Sequence, residues 1–133
     1  MIFSREDAWT KKVSDFAFIE GMFRNLSEEE EFTFQLTNDR GEYIKCAGTM
    51  RRMMVEFTRN ENGQSRRFIL GVSKEDRSPT FLITPNHRIP LNQNEFLMIE
   101  DAVVCFEAFF AGRELPNAFN WRESDAPHKK NQQ

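Results

Sequence analysis

Histidine is the side chain that most hydrolytic, nuclease and metal chemistry would use, and this chain has two. His87 stands between Asn86 and Arg88 after a strand-like run, and His128 lies near the C-terminus. Neither has a partner at metal-site spacing such as H-x-x-x-H or C-x-x-C. Both are expected to be exposed loop residues, and no metal or other cofactor is expected. Cys46 and Cys105 sit among apolar residues; such surroundings raise a thiol's pKa and leave it inert, so buried free thiols are expected. A cysteine nucleophile would also need a base, and only His87 is suited to that role. There is no G-x-S-x-G elbow and no phosphate-cradling glycine loop. With no catalytic set in view, the chain reads as something other than an enzyme.

Carboxylates are abundant. Glu28, Glu29, Glu30 and Glu31 are consecutive; they repel one another and belong in water. They read either as a solvated loop or as a phosphate mimic that docks on the basic groove of a nucleic-acid enzyme. Glu75, Asp76 and Arg77 read most simply as loop polars. Glu100, Asp101 and Glu107 form an acidic helix face with the same two readings as the glutamate run. Against these stand the pairs Arg51-Arg52 and Arg66-Arg67, interleaved with Phe57 and Phe68 in the manner of a nucleic-acid face. The formal net charge of −3 argues against nucleic-acid binding or an anionic membrane and leaves room for a basic protein partner.

The elements that would carry these groups follow from periodicity. The 133 residues suit one domain with a single core, and 14 Phe against one Tyr and two Trp make that core aromatic. The first dozen residues read as a loose arm or a short turn. Ser14 reads as an N-cap for a helix over 15–26, with Phe16, Ile19, Met22, Phe23 and Leu26 in one apolar stripe. Phe32, Phe34 and Leu36 alternate with Thr33, Gln35 and Thr37 as a half-buried strand, and a turn at 38–41 sends the chain back through Ile44 and Cys46. Gly48 marks a bend or bulge. Further strands are expected around Met53, Val55 and Phe57, around Phe68, Leu70 and Val72 with Ile69 covered from the other side, and at 81–84. Asn92 and Glu95 stand in capping-box spacing, with Leu91 and Phe96 as a staple. The stripe Phe96, Ile99, Val103, Phe106 and Phe110 follows. Gly112 and Pro116 end that helix, Phe119 and Trp121 share a face of a short strand, and from Arg122 the chain reads as a frayed tail. The expected fold is α+β: an antiparallel sheet of five to six strands covered by two amphipathic helices, in the order helix, strands, helix, strand. Met1-Ile-Phe-Ser-Arg-Glu-Asp is charged almost at once, unlike a secretory leader. With no apolar run long enough for a membrane span, a cytoplasmic location is expected.

One segment carries a resemblance. Ile89-Pro90, the helix to Phe109-Phe110, Gly112, Leu115-Pro116 and Phe119-Asn120-Trp121 resemble the pattern of a family of bacterial immunity proteins, the first-numbered immunity family of polymorphic-toxin and contact-dependent growth inhibition systems. The upstream order of a short helix and a strand meander is also similar. The resemblance implies a small cytoplasmic protein that binds a cognate toxin C-terminal domain one to one and blocks its active site, the toxin being a nuclease or deaminase that acts on nucleic acid. Candidate toxin contacts are Glu28, Glu29, Glu30, Glu31, Glu75 and Asp76, while Gly112, Pro116 and Trp121 read as structural. A reading from another class is an acidic secretion chaperone or adaptor, dimeric, that holds an effector segment.

Overall fold

Strand alternation organises the molecule. In β3 (Phe32–Thr37), β4 (Tyr43–Thr49), β5 (Arg52–Glu61) and β6 (Gln64–Gly71), Phe34, Leu36, Ile44, Cys46, Met53, Val55, Phe57, Phe68 and Leu70 share one buried face. The computed structural model describes residues 1–72, 75–85 and 87–124 and the backbone of 129–130; His128 lies outside the described residues. The four strands form an antiparallel meander, with Ile44 opposite Phe57 and Phe57 opposite Phe68. Two further strands, β1 (Ile2–Arg5) and β2 (Trp9–Lys12), extend it on one side, and β9 (Asn120–Glu123) pairs with β6 on the other. The result is an antiparallel sheet of seven strands in the order β2-β1-β3-β4-β5-β6-β9.

Helices α1 (Phe16–Arg24) and α2 (Ile99–Phe110) cover the face that carries the Phe side chains. The Phe23 ring meets Phe34 at 5.1 Å and Phe106 at 5.0 Å, both edge to face, a geometry that adds about 0.5–1.5 kcal/mol per pair beyond burial. Asp15, rather than Ser14, caps α1: its carboxylate accepts from the Ala17 N–H at 2.9 Å. Gly112, at φ 71°, closes α2 in the left-handed region. Gly48 has φ 137°, and a Cβ there would lie 2.3 Å from the Arg52 carbonyl oxygen. The turn from β4 to β5 therefore requires glycine.

Four expectations are corrected. The first dozen residues are no loose arm: β1 and β2 form a hairpin, because Phe3 is fully buried against Phe34 and Trp9. The segment before α2 is no helix start: β7 (Pro79–Ile83) and β8 (His87–Asn92) form a second hairpin, to which β10 (Lys129–Lys130) adds a third strand. The Asn92–Glu95 cap exists, with the Asn92 N–H donating to Glu95 Oε1 at 2.7 Å, but it opens a single 3-10 turn, Gln93–Glu95. Phe96 and Leu97 then run extended, Leu97 bridges to Met53, and α2 begins at Ile99. Arg122 belongs to β9 rather than to a tail, and its guanidinium grips buried Glu95 with two bonds of 2.8 Å. The small sheet packs on the other face of the large one, where Leu82, Ile89 and Leu91 meet Ala47, Met54 and Ile69. Helices, large sheet and small sheet thus make three layers. No helix among the described residues is long and apolar enough to cross a membrane.

Candidate functional site

The residues suited to chemistry are held inside the fold. His87 is 3% exposed, contrary to the loop position expected for it, because β8 turns it inward. Its Nε2 lies 2.7 and 2.8 Å from the Glu6 carboxylate oxygens, which ties the β1–β2 turn to the small sheet. Cys46 and Cys105 are free and buried. Burial pushes the Cys105 thiol up to about 12 and the Cys46 thiol higher still, so neither forms a thiolate near neutrality. Glu56 is fully buried on the face away from the helices; Tyr43 donates to it at 2.7 Å and Arg67 lies at 3.7 Å. Burial, and then the charge of Glu56, raise the Tyr43 phenol, so it stays protonated. No group of His, Cys, Asp and Glu among the described residues could hold a metal ion.

The arginine pairs are also engaged within the protein. Arg51 pairs with Glu28, and the Arg52 guanidinium lies 3.7 Å from the Phe96 ring centroid. Arg66 pairs with Glu61 and with Glu123 at 2.6 Å, while Arg67 reaches Glu56 and Ser124. Arg59 stacks 4.8 Å from Trp121, whose ring stands edge-on to Phe57 and Phe68. This arginine–aromatic cluster occupies one end of the sheet, beside the C-terminus of α2. A cleft of about 420 Å³ lies beside it, lined in part by Arg40, Phe57, Arg59 and Arg113.

The six candidate carboxylates meet at the other end. Strand direction brings the 27–31 loop that leads into β3, the β1–β2 turn, the β4–β5 turn, the exit of β6 and the start of α2 to the same edge of the large sheet. Glu6 N–H donates to Thr33 carbonyl oxygen at 2.9 Å and Ile99 N–H to Met50 carbonyl oxygen at 2.8 Å, which fixes two of those junctions. The loop with Glu75 and Asp76 joins them through Asn94, whose N–H donates to the Asp76 carbonyl at 3.0 Å and whose carbonyl accepts from Val72 at 2.9 Å. Glu6, Asp7, Glu100 and Asp101 lie at the same end.

These carboxylates differ in what holds them. Glu28 pairs with Arg51. Glu30 caps the loop, accepting from Ser27 N–H at 3.0 Å and from Arg5 at 2.7 Å; those bonds, the backbone one first, hold its carboxyl below the usual range. Glu100 pairs with Arg24, which lowers its carboxyl in the same way. Glu29 and Glu31 are exposed and make no ion pair among the described residues. Glu28 and Glu30 are therefore paired with arginines, and Glu29 and Glu31 project into water. Asp76 is held at φ 48° in a turn. Glu6 was missed because its role depends on His87, 81 residues away, and no local signal links the two. No protein-family model matches this chain, and no curated protein matches it.

Proposed function

We propose that this chain is an immunity protein: a stoichiometric inhibitor, not an enzyme, that binds a cognate toxin domain one to one and covers its active site. The observation that carries the reading is the convergence of the 27–31 loop, the Glu75–Asp76 loop and the Glu6–Asp7 turn on one end of the sheet, with Glu29 and Glu31 exposed there. A toxin that acts on nucleic acid has a basic cleft, and an acidic end facing it steers encounter and excludes the nucleic-acid substrate. The fate of the chemical groups also supports it, since both thiols are protonated and buried and His87 is pinned to Glu6. The resemblance carried by 89–121 supports the same class, and it implies a cytoplasmic protein that meets its toxin there.

The test is co-expression in bacteria with the C-terminal toxin domain encoded beside this gene. Restored growth, and a 1:1 complex on sedimentation, are the expected results; continued killing by that toxin, with the chain soluble and folded, would refute the reading. A secretion chaperone would instead sediment as a dimer and hold an unfolded segment, so the same sedimentation run separates the two.

A further inference from the structure

Two residues, Asn62 and Gly63, make the turn between β5 and β6. Asn62 has φ 52° and Gly63 φ 77°, the left-handed pair that a two-residue type I′ hairpin requires. Asn60 N–H points to Glu42 Oε2 at 2.9 Å rather than across to β6. Antiparallel pairs alternate between bonded and non-bonded, so Asn60–Ser65 is a non-bonded pair and Glu61–Gln64 is the bonded pair that closes the hairpin. Asn62 and Gly63 lie beyond that last bond.

The residues that suit this turn also suit a covalent reaction. An asparagine carboxamide can be attacked by the main-chain nitrogen of the residue that follows it. The nitrogen gives its proton to a base in solution, its bond to Cγ forms, and the carboxamide nitrogen leaves as ammonia. A five-membered succinimide remains. Water then opens the ring at one of its two carbonyls. Opening at Cγ restores the ordinary main chain and leaves aspartate. Opening at the main-chain carbonyl leaves isoaspartate, whose chain continues through Cβ and Cγ. The sum is carboxamide and water to carboxylate and ammonium, with no oxidant or cofactor. Ring closure of this kind is governed by how freely the two groups can approach.

Asn62 and Gly63 are placed for it. Gly63 N–H and the Asn62 carboxamide make no hydrogen bond among the described residues, so neither reacting group has to be released first. Both residues are exposed to the water and base that the reaction consumes. A side chain built on Gly63 would meet nothing within 4 Å, so nothing outside the turn obstructs rotation of that peptide. Other asparagines lack these conditions. None of them precedes a glycine, and a side chain on the next residue hinders the attacking nitrogen. Asn38 and Asn60 are also tied by their carboxamides, to Glu42 at 2.9 Å and to the Arg40 carbonyl at 2.8 Å.

We infer that Asn62 is a deamidation site, converted by water to aspartate and isoaspartate, and that the isoaspartate form loosens the end of the β5–β6 hairpin. Conversion adds a carboxylate next to Glu61, which already pairs with Arg66 and, at 3.6 Å, with Arg59. Isoaspartate also adds one atom to the main chain of a turn whose length sets the register of Glu61 with Gln64. The site lies at the arginine–aromatic end of the sheet and does not depend on the immunity reading.

The test incubates the folded full chain in a mildly alkaline buffer and follows each asparagine by mass spectrometry, with electron-transfer fragmentation to separate aspartate from isoaspartate. Asn62 should convert first, about tenfold faster than Asn117, an exposed asparagine that precedes Ala118. Its rate should rise with pH, because the attacking nitrogen must lose its proton. Gly63→Ala should slow conversion about tenfold, since the added Cβ hinders that nitrogen. Because alanine also disfavours the left-handed turn, Asn62→Gln gives a second check: its ring would be six-membered, and position 62 should keep its mass while the chain stays folded. Amide exchange at Glu61 and Gln64 should quicken in the isoaspartate fraction. It should stay near wild type in Asn62→Asp, which carries the same charge on an ordinary main chain. Conversion that starts at another asparagine, a rate at Asn62 indifferent to pH or to Gly63→Ala, or unchanged exchange in the isoaspartate fraction would each overturn the inference.

Discussion

The two ends of the large sheet are built from similar residues and use them in opposite ways. At the end beside the C-terminus of α2, Arg59 and Arg66 are clasped by Glu61, Glu114 and Glu123 and stacked on Phe57, Phe68 and Trp121. Charge there is paired at contact distance, and little field escapes. At the other end, arginines neutralise Glu28, Glu30 and Glu100, while Glu29 and Glu31 project from the same loop without partners among the described residues. Composition alone does not make a patch. Whether a carboxylate acts over a distance depends on whether the fold supplies a cation within reach.

Substitutions can break or sharpen this contrast. The largest effect is expected at Gly48, which anchors the acidic end. Gly48→Ala forces a Cβ into the Arg52 carbonyl at a φ that disfavours side chains, and should cost about 2–4 kcal/mol in urea unfolding. Next, Glu29→Lys with Glu31→Lys should slow association with a basic toxin domain about 10–100-fold in low-salt stopped-flow measurements, with the melting temperature little changed. The same reversal at Asp39 and Glu114, at the opposite end, should do much less; equal slowing would erase the distinction between the ends.

Glu42 tests the paired end. Its carboxylate accepts from Asn60 N–H at 2.9 Å, from Asn38 and from Arg40, and these bonds, the Asn60 one first, lower its pKa from 4.5 to about 2. A depressed carboxylate adds stability that is full above its unfolded value and is lost as pH falls through the folded one. Glu42→Gln should therefore cost about 1–2 kcal/mol at neutral pH, a deficit that shrinks between pH 4.5 and about 2. The smallest effect is Arg51→Ala: both partners of the Arg51–Glu28 pair are more than half exposed, so stability should stay within about 1 kcal/mol of wild type.

How much of this was legible in the sequence depended on range. Alternation placed the meander from β3 to β6, and the α2 stripe from Ile99 onward, its Gly112 stop and a strand at Trp121 agree with the sequence pattern, because each signal lies within about a dozen residues; Phe96 and Phe119 fall outside those elements. The Asn92–Glu95 cap was recognised and attached to the wrong element: capping chemistry is the same for a 3-10 turn as for an α-helix, and only the bridge of Leu97 to Met53 stops the helix from starting there. The β1–β2 hairpin was missed because each strand has four residues, and Phe3 alone is apolar and fully buried.

By itself, the sequence determined the α+β class, the aromatic core, the inert thiols and the existence of two carboxylate-bearing loops, at 28–31 and 75–76, since each follows from residue type and local spacing. Tertiary structure alone decided that those loops share one end of a seven-stranded sheet, that His87 is buried against Glu6, and that a second small sheet packs on the face away from the helices. Each of these depends on strand order and register between residues far apart in the chain. Such pairings are selected by the burial of whole faces, and no local pattern encodes them.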